Sequence, residues 1–581
     1  MKSSHPTHPL GKKTRVLLSS VFGPYAQDDE YGSRAINPME LYHNQVTRVQ
    51  GPFSLRMFHR SFGLLMIQAN VECPCTVLDF PSQDRFIEEL RENTYDVIGI
   101  TGIMPNIGKV ERMCELVRQH QPNATIVVGG HVANVEDIES RLAADHVVKG
   151  DGIRWFRQFL GQDTQAPVRH PAVLSAFGSR SFGITTPEKT GDTAAILIPS
   201  VGCPMGCNFC STSAMFGGKG NCVNFYETGD ALFEVMVRLE KELQTQSFFV
   251  MDENFLFHRA RALRLLELMR EHGKSWALSV FSSARVLKSY TMDQLVGLGI
   301  SWVWMGLEGR ESQYGKLSGV DTHELIRSLE AHGMRVLGST IIGLEEHRPE
   351  DMESVIDWAV KHDTVFHQFM LYTPIPGTPL HKQHKEDGTL LSDQELAPAD
   401  THGQYRFKHR HAHIPAGEET AFLLRAFQRD FEVNGPSLLR LFRVTLLGLK
   451  RYKDHGDTRI RERFLREAKD LGGTYASAVW AMRQWYRNDC VMYAKVNAVL
   501  QDLYREFGWK TRVLAPLLGR VVHFTTQREA KRLASGWTYE PATHCDKNIH
   551  MLNLERTLKV GRDNTRIPET RWVTHEIPAT D

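Results

Sequence analysis

The sequence lacks the features that assign many proteins to a class at once. Its 69 Lys and Arg residues balance 68 Asp and Glu residues, and a formal net charge of +1 predicts no nucleic-acid partner. No uninterrupted apolar run approaches the roughly 20 residues of a membrane-spanning helix. Residues 1–15 are polar and lack the apolar core of a signal peptide. These absences predict a cytoplasmic protein without a transmembrane segment.

Cysteine is scarce and is not distributed as in a disulfide framework. The chain of 581 residues contains 9 Cys, of which three form a tight cluster and the others are scattered. In a reducing compartment such a cluster indicates a metal or redox site rather than disulfide bonds. Cys73 and Cys75, which flank a proline beside a strand-like segment, are interpreted as structural.

Residues 14–161 alternate strand-like and helix-like segments. The strand-like segments are short, apolar and often ended by glycine, and residues 104–121 between two of them have the pattern of an amphipathic helix. The alternation predicts a Rossmann-like, doubly wound parallel sheet in a domain of residues 1–165. The predicted strands are 15–19, 75–80, 96–103, 124–130 and 145–148.

Glycines are concentrated where these strands are expected to end. In an open parallel sheet, ligands bind beyond the carboxyl ends of the strands. Glycine at such a position lets a large flat ligand approach the backbone. The glycines concerned are Gly102, Gly129, Gly130, Gly150 and Gly152.

The composition changes twice further along the chain. Residues 166–192 are rich in Gln, Pro, Ser, Gly and Thr and are predicted to be a linker. A second alternating series follows, and βα units of this length predict a full or partial βα barrel within residues 193–415. Residues 416–581 carry many basic residues and predict a mostly helical region. The predicted barrel strands are 194–201, 247–251, 276–281, 302–306 and 336–342.

The clustered cysteines directly follow the first predicted barrel strand. The segment Val201-Gly-Cys-Pro-Met-Gly-Cys-Asn-Phe-Cys210 places Cys203, Cys207 and Cys210 in a C-x3-C-x2-C spacing. Three thiolates on one tight loop can bind three irons of a cubane cluster and leave the fourth iron free for a small molecule. A zinc site is the alternative, although zinc normally has a fourth ligand and paired C-x2-C spacing. A buried structural role for all three cysteines is a further alternative.

This motif resembles that of the radical SAM superfamily, with Phe209 matching the aromatic residue before the last cysteine. The resemblance implies that Cys203, Cys207 and Cys210 hold a 4Fe-4S cluster whose open iron chelates S-adenosylmethionine (SAM). It also implies that an external one-electron reductant drives cleavage of a carbon–sulfur bond of SAM to give a 5′-deoxyadenosyl radical. In such enzymes the cofactors supply the chemistry, and the protein positions them and excludes water.

Further segments match places where this superfamily contacts SAM. Asp252 and Glu253 end a strand-like segment at the position of the amino-group motif, and carboxylates suit an ammonium group. The alternative for this pair is the N-cap of the next helix. Glu308 resembles the ribose-contacting carboxylate, with an ordinary solvated glutamate as its alternative. Residues 341–344 resemble the strand near adenine, and residues 372–380 resemble the segment that closes the barrel.

A doubly wound domain before such a barrel resembles the cobalamin-binding branch of the superfamily, and the resemblance covers about residues 14–410. It implies a corrinoid on the carboxyl edge of the N-terminal sheet, facing the cluster, and commonly methyl transfer to the substrate. The chain departs from the Asp-x-His-x-x-Gly motif of some cobalamin domains, because residues 20–37 contain no His. His131 could approach the ligand, although a capping or surface role is the simpler interpretation. A further alternative is that this domain is a relic that does not bind cobalamin.

Two other segments suggest functions that have simpler alternatives. The alternating histidines of His409-Arg-His-Ala-His413 could bind a metal, or could lie in a solvated loop. Residues 438–453 combine an apolar stripe with a basic face, so this helix could contact an anionic membrane and present a lipid-like substrate. The simpler interpretation is a packed helix with its basic face in water.

The sequence therefore leaves three functional hypotheses. The first is a cobalamin-dependent radical SAM methyltransferase that acts on an unactivated carbon of a small-molecule or lipid-like substrate. The second keeps the radical SAM barrel but replaces methyl transfer with oxidation, cyclisation or carbon–carbon coupling. The third is a metal-stabilised binding protein without turnover.

Overall fold

A computed structural model describes residues 7–23, 30–310, 314–537, 543–548 and 574–577. Its N-terminal part is a parallel sheet with helices on both faces, which confirms the predicted doubly wound fold. The strands are β1 (Val16–Ser20), β2 (Arg56–Met57), β3 (Cys75–Asp79), β4 (Val97–Thr101), β5 (Thr125–Gly129) and β6 (His146–Val147). The helices are α1 (Phe62–Asn70), α2 (Gln83–Glu92), α3 (Ile107–His120), α4 (Ile138–Arg141) and α5 (Gly152–Phe159).

The parallel strands run in the order β3-β1-β4-β5-β6, and β2 lies outside this sheet. Both faces are apolar because helices cover both of them. Leu17 and Ile98 belong to the core under α2 and α3, whereas their neighbours Leu18 and Val97 belong to the core under α1 and α5. The near-continuous apolar segments in the sequence therefore follow from burial on two sides.

The segment predicted as a linker contains an antiparallel hairpin. Strands β7 (Ser179–Ser181) and β8 (Ile184–Thr186) pair with each other, and β7 also pairs with β2. The two-residue turn places Phe182 at φ 55° and Gly183 at φ 73°. Hairpin turns of this length need positive φ at central residues and are usually formed by Asn-Gly or Asp-Gly. A Phe-Gly turn gives a weaker signal, so the sequence did not predict the hairpin.

The next unit is a six-stranded parallel sheet in the order β9-β12-β13-β14-β15-β16, open at both ends, and is therefore a partial barrel. A short antiparallel pair, β10 and β11, lies beside it. The strands are β9 (Ala195–Leu197), β10 (Ser200–Val201), β11 (Val223–Asn224), β12 (Ser247–Val250), β13 (Ala277–Ser282), β14 (Ile300–Glu308), β15 (Arg335–Ile342) and β16 (Phe366–Leu371). The helices are α6 (Ser211–Met215), α7 (Gly229–Leu243), α8 (Arg259–Glu271), α9 (Ala284–Lys288), α10 (Met292–Gly297), α11 (Thr322–Ala331), α12 (Met352–Val360) and α13 (Pro379–Glu386).

A helical region follows the barrel, as predicted. Its helices are α14 (Glu418–Asn434), α15 (Ser437–Tyr452), α16 (Thr458–Glu467), α17 (Ala476–Trp485) and α18 (Cys490–Ala534), the last kinked at Gly508. The apolar stripe of α15, with Leu439 and Phe442, is buried in a core shared with Phe366 of β16. The helix of residues 438–453 is therefore packed through its apolar stripe, but Arg440 of its predicted basic face is buried and not in water. Among the described residues, no helix combines the length and apolarity needed to cross a bilayer.

The chain returns to the N-terminal sheet after α18. Strands β17 (Thr543–Lys547) and β18 (Thr574–Ile577) pair antiparallel, and β17 adds to the free edge of β3. Arg60 forms ion pairs with both Asp79 of β3 and Asp546 of β17. The N-terminal sheet thus has seven strands, two of which come from the far end of the chain.

Candidate functional site

The three clustered cysteines lie on the loop between β10 and α6, at the carboxyl end of the first barrel strand. Gly206 has φ 65°, and a side chain there would approach Lys219 Cα to 2.6 Å, so the tight turn requires glycine. The hydroxyl of Ser213 donates to the Cys203 carbonyl at 3.0 Å, and the Cys210 amide donates to the Cys207 carbonyl at 3.1 Å. The conformation of the cysteine loop is therefore stabilised by hydrogen bonds to its own backbone carbonyls.

All three thiols are partly buried and none forms a disulfide. Burial raises their pKa values, that of Cys203 to about 11, while the Lys316 charge opposes this for Cys207 and Cys210. Within the described residues, no three His, Cys, Asp or Glu side chains converge on a position for one metal ion. Spread thiols suit a polynuclear cluster, in which each cysteine binds a different iron, better than a single zinc ion.

An aromatic and amide cluster supports the loop from the side of β16. The Asn208 side chain donates to the Tyr372 hydroxyl and accepts from the Tyr314 hydroxyl, both at 3.0 Å. Phe209 meets Tyr314 edge to face at 5.2 Å. Leu380 donates its amide to the Asn208 carbonyl at 3.0 Å. The segment 372–380 therefore contacts the cysteine loop directly.

The paired carboxylates Asp252 and Glu253 differ in what they contact. Asp252 is buried and accepts from Arg261 at 2.6 Å, from Ser200, and from the Asn254 amide at 3.1 Å. Its carboxylate is thus already engaged in an ion pair beneath the site. In contrast, Oε2 of Glu253 is buried without a hydrogen-bond partner. Burial raises the Glu253 pKa to about 7, although a backbone hydrogen bond from Gly202 opposes this.

A buried carboxylate with a free oxygen is suited to a cationic ligand, because the ligand would both neutralise it and supply the missing donor. Glu253 receives its hydrogen bond from the residue directly before Cys203. The structure therefore offers one of the two predicted carboxylates to an ammonium group beside the cysteine loop. This fits the amino group of SAM.

Glu308 ends β14 in the left-handed region, at φ 56°, and forms an ion pair with Lys316. Both side chains are largely buried, and the ammonium of Lys316 lies 5.5 Å from the ring centroid of Phe209. Burial lowers the Lys316 pKa, but the charges of Glu308 and Cys207 outweigh burial and raise it above its ordinary value. Lys316 is thus a permanent positive charge beside the cysteines. It could not be predicted from the sequence, because a single lysine in a loop forms no pattern.

The carboxyl edge of the N-terminal sheet lies against α6, the helix that begins after Cys210. His131 Nε2 is 3.3 Å from Thr212 Oγ1, and the Asn134 side chain donates to the Ser211 carbonyl at 3.3 Å. His131 is buried, which lowers its pKa and favours the neutral imidazole. The two predicted cofactor regions therefore lie next to each other.

The five predicted glycines at this edge have different surroundings. A side chain at Gly102 or Gly130 would clash inside the domain, at 2.7 Å from Val110 Cγ2 and 2.5 Å from Thr101 Oγ1 respectively. At Gly152 the nearest atom is Ile67 Cδ1 at 3.0 Å. Gly129 and Gly150 have no neighbour closer than 3.7 Å. Packing therefore explains three of them, whereas at the other two an added side chain would make only ordinary van der Waals contact.

Three buried asparagines follow neighbouring strands of this sheet, and each retains a polar atom without a partner. Asn37 follows β1, Asn106 follows β4 and Asn134 follows β5. The free atoms are Nδ2 of Asn37, Nδ2 of Asn106 and Oδ1 of Asn134. Unpaired buried amides are unfavourable unless a ligand or water completes their hydrogen bonds. Neutral donors and acceptors of this kind fit the amide side chains on the periphery of a corrinoid.

The inner face of the partial barrel is lined by aromatic side chains. Along β12, β13 and β14, residues alternate between the core under the helices and this inner face. Phe281 stacks on Trp304 at 5.0 Å, and Phe249 stacks on His59 of the N-terminal domain at 5.5 Å. These side chains are only partly buried. The inner face of the partial barrel is therefore largely aromatic along these three strands.

The histidine segment 409–413 does not form a metal site in the described structure. His409 is buried with both ring nitrogens unpaired, whereas His411 contacts the Leu344 carbonyl at 3.0 Å. Their ring centroids are 5.9 Å apart and tilted by 45°. His411 thus braces the loop after β15, and the expectation of solvated histidines is wrong for His409, which is buried.

Comparison with known proteins agrees with this geometry. A family model described as a B12 binding domain matches residues 55–160, and the model of the radical SAM superfamily matches residues 197–359. The chain is 22% identical to an uncharacterized methyltransferase PH0819 of Pyrococcus horikoshii, over 51% of this chain and 71% of that protein. It is 24% identical to the bacteriochlorophyllide d C-12(1)-methyltransferase of Chlorobaculum tepidum, over 50% of this chain and 66% of that protein.

A solved structure shares the fold. The radical SAM methyltransferase TsrM from Kitasatospora setae, with cobalamin and a [4Fe-4S] cluster bound, superposes with a TM-score of 0.50 at 15% identity. The alignment covers 79% of this chain and 99% of that one. The cofactors of the two matched domains are cobalamin, a 4Fe-4S cluster and SAM. The two matches confirm the predicted combination of a cobalamin-binding domain and a radical SAM domain in one chain.

Proposed function

We propose that this protein is a radical SAM methyltransferase that uses cobalamin to methylate an unactivated carbon of a small apolar molecule. The observation that supports this most directly is the contact between α6 and the carboxyl edge of the N-terminal sheet. His131 and Asn134 of that edge reach Thr212 and Ser211, directly after Cys210. Both cofactor regions thus lie next to each other, as direct group transfer between them requires.

In this proposal Cys203, Cys207 and Cys210 hold the cluster, and one iron remains without a protein ligand. When bound there, the cluster would supply the electron for cleavage of a carbon–sulfur bond of SAM, and cobalamin would carry the methyl group. Glu253 accepts hydrogen bonds from the amino group of SAM through its free Oε2. Lys316 offsets the negative charge of the thiolates and anchors Glu308 at the end of β14.

The chain's own residues would also protect the reaction. Asn208, Tyr314 and Tyr372 brace the cysteine loop and close its outer side. The aromatic inner face, with Phe249, Phe281 and Trp304, would exclude water from a radical and would bind a flat or apolar acceptor by stacking and burial. These aromatic side chains support an apolar acceptor as the substrate class.

Cofactor content and labelled SAM test the proposal together. The protein is purified without oxygen and supplied with iron, sulfide and cobalamin, and iron, sulfide and cobalt per chain are measured. Four irons and one corrinoid per chain are expected, as is transfer of a deuterated methyl group from SAM to an apolar acceptor. Chains that load four irons but no corrinoid would contradict the cobalamin assignment.

A second outcome separates methyl transfer from other radical chemistry. If the loaded protein releases 5′-deoxyadenosine and the acceptor is oxidised or cyclised without gaining the label, the barrel assignment stands and the methyltransferase assignment falls. Failure to cleave SAM at all would leave only a metal-stabilised binding protein.

A further inference from the structure

The second half of α18, residues 509–534, has one face packed against the protein. After the kink at Gly508, buried residues recur every three or four positions, which is the spacing of one helix face. Gly519 on this face lies so close to Trp480 of α17 that a side chain there would approach Trp480 Cε3 to 2.6 Å. The buried residues are Thr511, Ala515, Gly519, Val522, Thr526 and Glu529.

The opposite face of the same segment is apolar and exposed. Of the fifteen large hydrophobic side chains that are exposed in the described chain, seven lie between residues 509 and 524. Such a concentration forms a continuous patch, whereas single exposed hydrophobic residues are ordinary. The seven are Trp509 (71% exposed), Val513 (52%), Leu514 (44%), Leu517 (54%), Leu518 (47%), Val521 (61%) and Phe524 (58%).

The charge around this patch has one sign. Six exposed basic side chains lie on residues 510–532, and the single acidic residue there, Glu529, is buried in an ion pair with Arg180 at 2.5 Å. Among the described residues, no ion pair involves Lys510, Arg512 or Arg520. The basic residues are Lys510, Arg512, Arg520, Arg528, Lys531 and Arg532.

We propose that residues 509–532 of α18 form an interfacial helix that binds the surface of an anionic lipid bilayer. Apolar side chains would enter the boundary between headgroups and acyl chains, and the flanking cations would pair with acidic headgroups. Trp509 suits such a boundary because its ring is apolar and its N–H is polar. A helix of this kind lies on a membrane and does not span it, which is consistent with the absence of a spanning helix in the described chain.

Charge decides against a second copy of this chain as the occupant. Two such faces brought together would place six exposed cations against six others, with no exposed carboxylate on residues 509–532 to pair with them. An anionic surface is the complementary partner. The inference does not depend on methyl transfer, since it concerns a surface on α18 and not the cysteine loop.

Vesicle binding tests the inference with the full chain loaded with its cofactors. The protein is sedimented with vesicles of phosphatidylcholine alone and of phosphatidylcholine with phosphatidylglycerol. We expect binding to the anionic vesicles, little binding to the neutral ones, and release at high salt. The double variant Leu517→Ser/Val521→Ser should bind about tenfold more weakly or worse, because two apolar side chains no longer insert.

Two further variants make the test specific. Arg512→Gln/Arg520→Gln should weaken binding to anionic vesicles by about tenfold and leave the small binding to neutral vesicles unchanged. Leu465→Ser is the matched control, because Leu465 is 47% exposed on α16, away from the patch, and should bind as the wild type does. Thermal unfolding and iron content confirm that each variant is folded.

Several outcomes would overturn the inference. Equal binding of wild type and both double variants would show that another surface, or none, contacts the bilayer. Equal binding to neutral and anionic vesicles would remove the role of the cations. A dimer in solution that Leu517→Ser/Val521→Ser dissociates, without vesicle binding by the wild type, would assign the patch to a second copy.

Discussion

The two ends of the partial barrel use charge in opposite ways. At the carboxyl end, Glu253 keeps a free carboxylate oxygen and the cysteine thiols are partly exposed. At the amino end, helices of the C-terminal region contribute to buried ion pairs, such as Arg335 with Glu467 at 3.1 Å and Arg440 with Asp430 at 2.7 Å. The carboxyl end thus leaves a buried carboxylate without an ion-pair partner for a ligand, whereas the amino end pairs these charges with each other and holds the fold together.

The largest effect is expected from Cys207→Ala at the carboxyl end. Loss of one of three cluster ligands should abolish SAM cleavage, by about a thousandfold or more, because the cluster does not assemble. Cobalamin binding should persist, since the N-terminal sheet has its own core. Iron content, 5′-deoxyadenosine release and cobalt content measure the three properties.

Cys222→Ala is the matched control for this variant, because Cys222 is also a partly buried free cysteine near the loop but lies outside the motif. Wild-type iron content is expected for it. A Cys207→Ala protein that still cleaves SAM at the wild-type rate would show that the cluster is elsewhere.

At the amino end, Arg440→Met should cost stability and leave ligand binding unchanged. Arg440 donates to both carboxylate oxygens of Asp430 and to the Thr364 carbonyl, so its removal leaves a buried charge unpaired. The expected loss is about 3–5 kcal/mol of unfolding free energy. Denaturant unfolding measures it, and SAM affinity is compared under native conditions.

The double variant Arg440→Met/Asp430→Leu removes both charges and should recover much of the lost stability. A loss of SAM affinity in Arg440→Met as large as its loss of stability would erase the distinction between the two ends.

A smaller effect on ligand binding is expected from Glu253→Gln. The amide cannot supply the negative charge that an ammonium group requires, so the Kd for SAM should rise about tenfold. Iron content should stay at the wild-type level, because Glu253 is not a cluster ligand in this proposal. Calorimetry of SAM binding to the reconstituted protein measures the change, and Glu267→Gln, on an exposed side chain, is the control. If Glu253→Gln binds SAM with the wild-type affinity, Glu253 does not contact the amino group of SAM.

The smallest effect concerns pH and Glu330, a buried residue on α11. Burial raises its pKa from the ordinary 4.5 to about 8, although Arg443 opposes this and the nearby Asp363 adds to it. The folded state therefore keeps a proton that the unfolded state has already released, so this residue makes the protein less stable as pH rises from about 4.5 through 8.

Glu330→Gln should remove that contribution while it keeps an acceptor for the Val365 amide. Between pH 6 and pH 9 its melting temperature should fall less than that of the wild type, by about 2 °C or more. Parallel melting curves for the two proteins would contradict the shifted pKa.

Local signals were sufficient for much of the fold. The apolar strands β1, β3, β4 and β5 were predicted to within two residues at each end because burial on both faces makes them continuous and apolar. β16 was missed, since its sequence Phe-His-Gln-Phe-Met-Leu mixes buried polar and apolar residues. The polar strand β17 was missed as well, because its place is set by pairing with a strand far away in the sequence.

The candidate site also has one part that the sequence predicts and one part that only the fold reveals. The cysteine spacing is a local pattern, so a sequence can display it in full. The difference between Asp252 and Glu253 is not local, because it depends on Arg261 and Ser200 reaching one carboxylate and not its neighbour. Lys316 and the contact of His131 with Thr212 also bring together residues that are distant in sequence. Only the folded chain shows them.

The pairing of β17 with β3 has a consequence for synthesis of the protein. Thr543 donates its hydroxyl to the carbonyl of Phe80, and the two residues are 463 positions apart. At ordinary translation rates, β17 is therefore synthesised on the order of 20–90 s after β3, and the edge of β3 has no partner strand during that time. During that time an unpaired strand edge is open to other chains. Yield of soluble protein should thus depend on how long that edge is left uncovered.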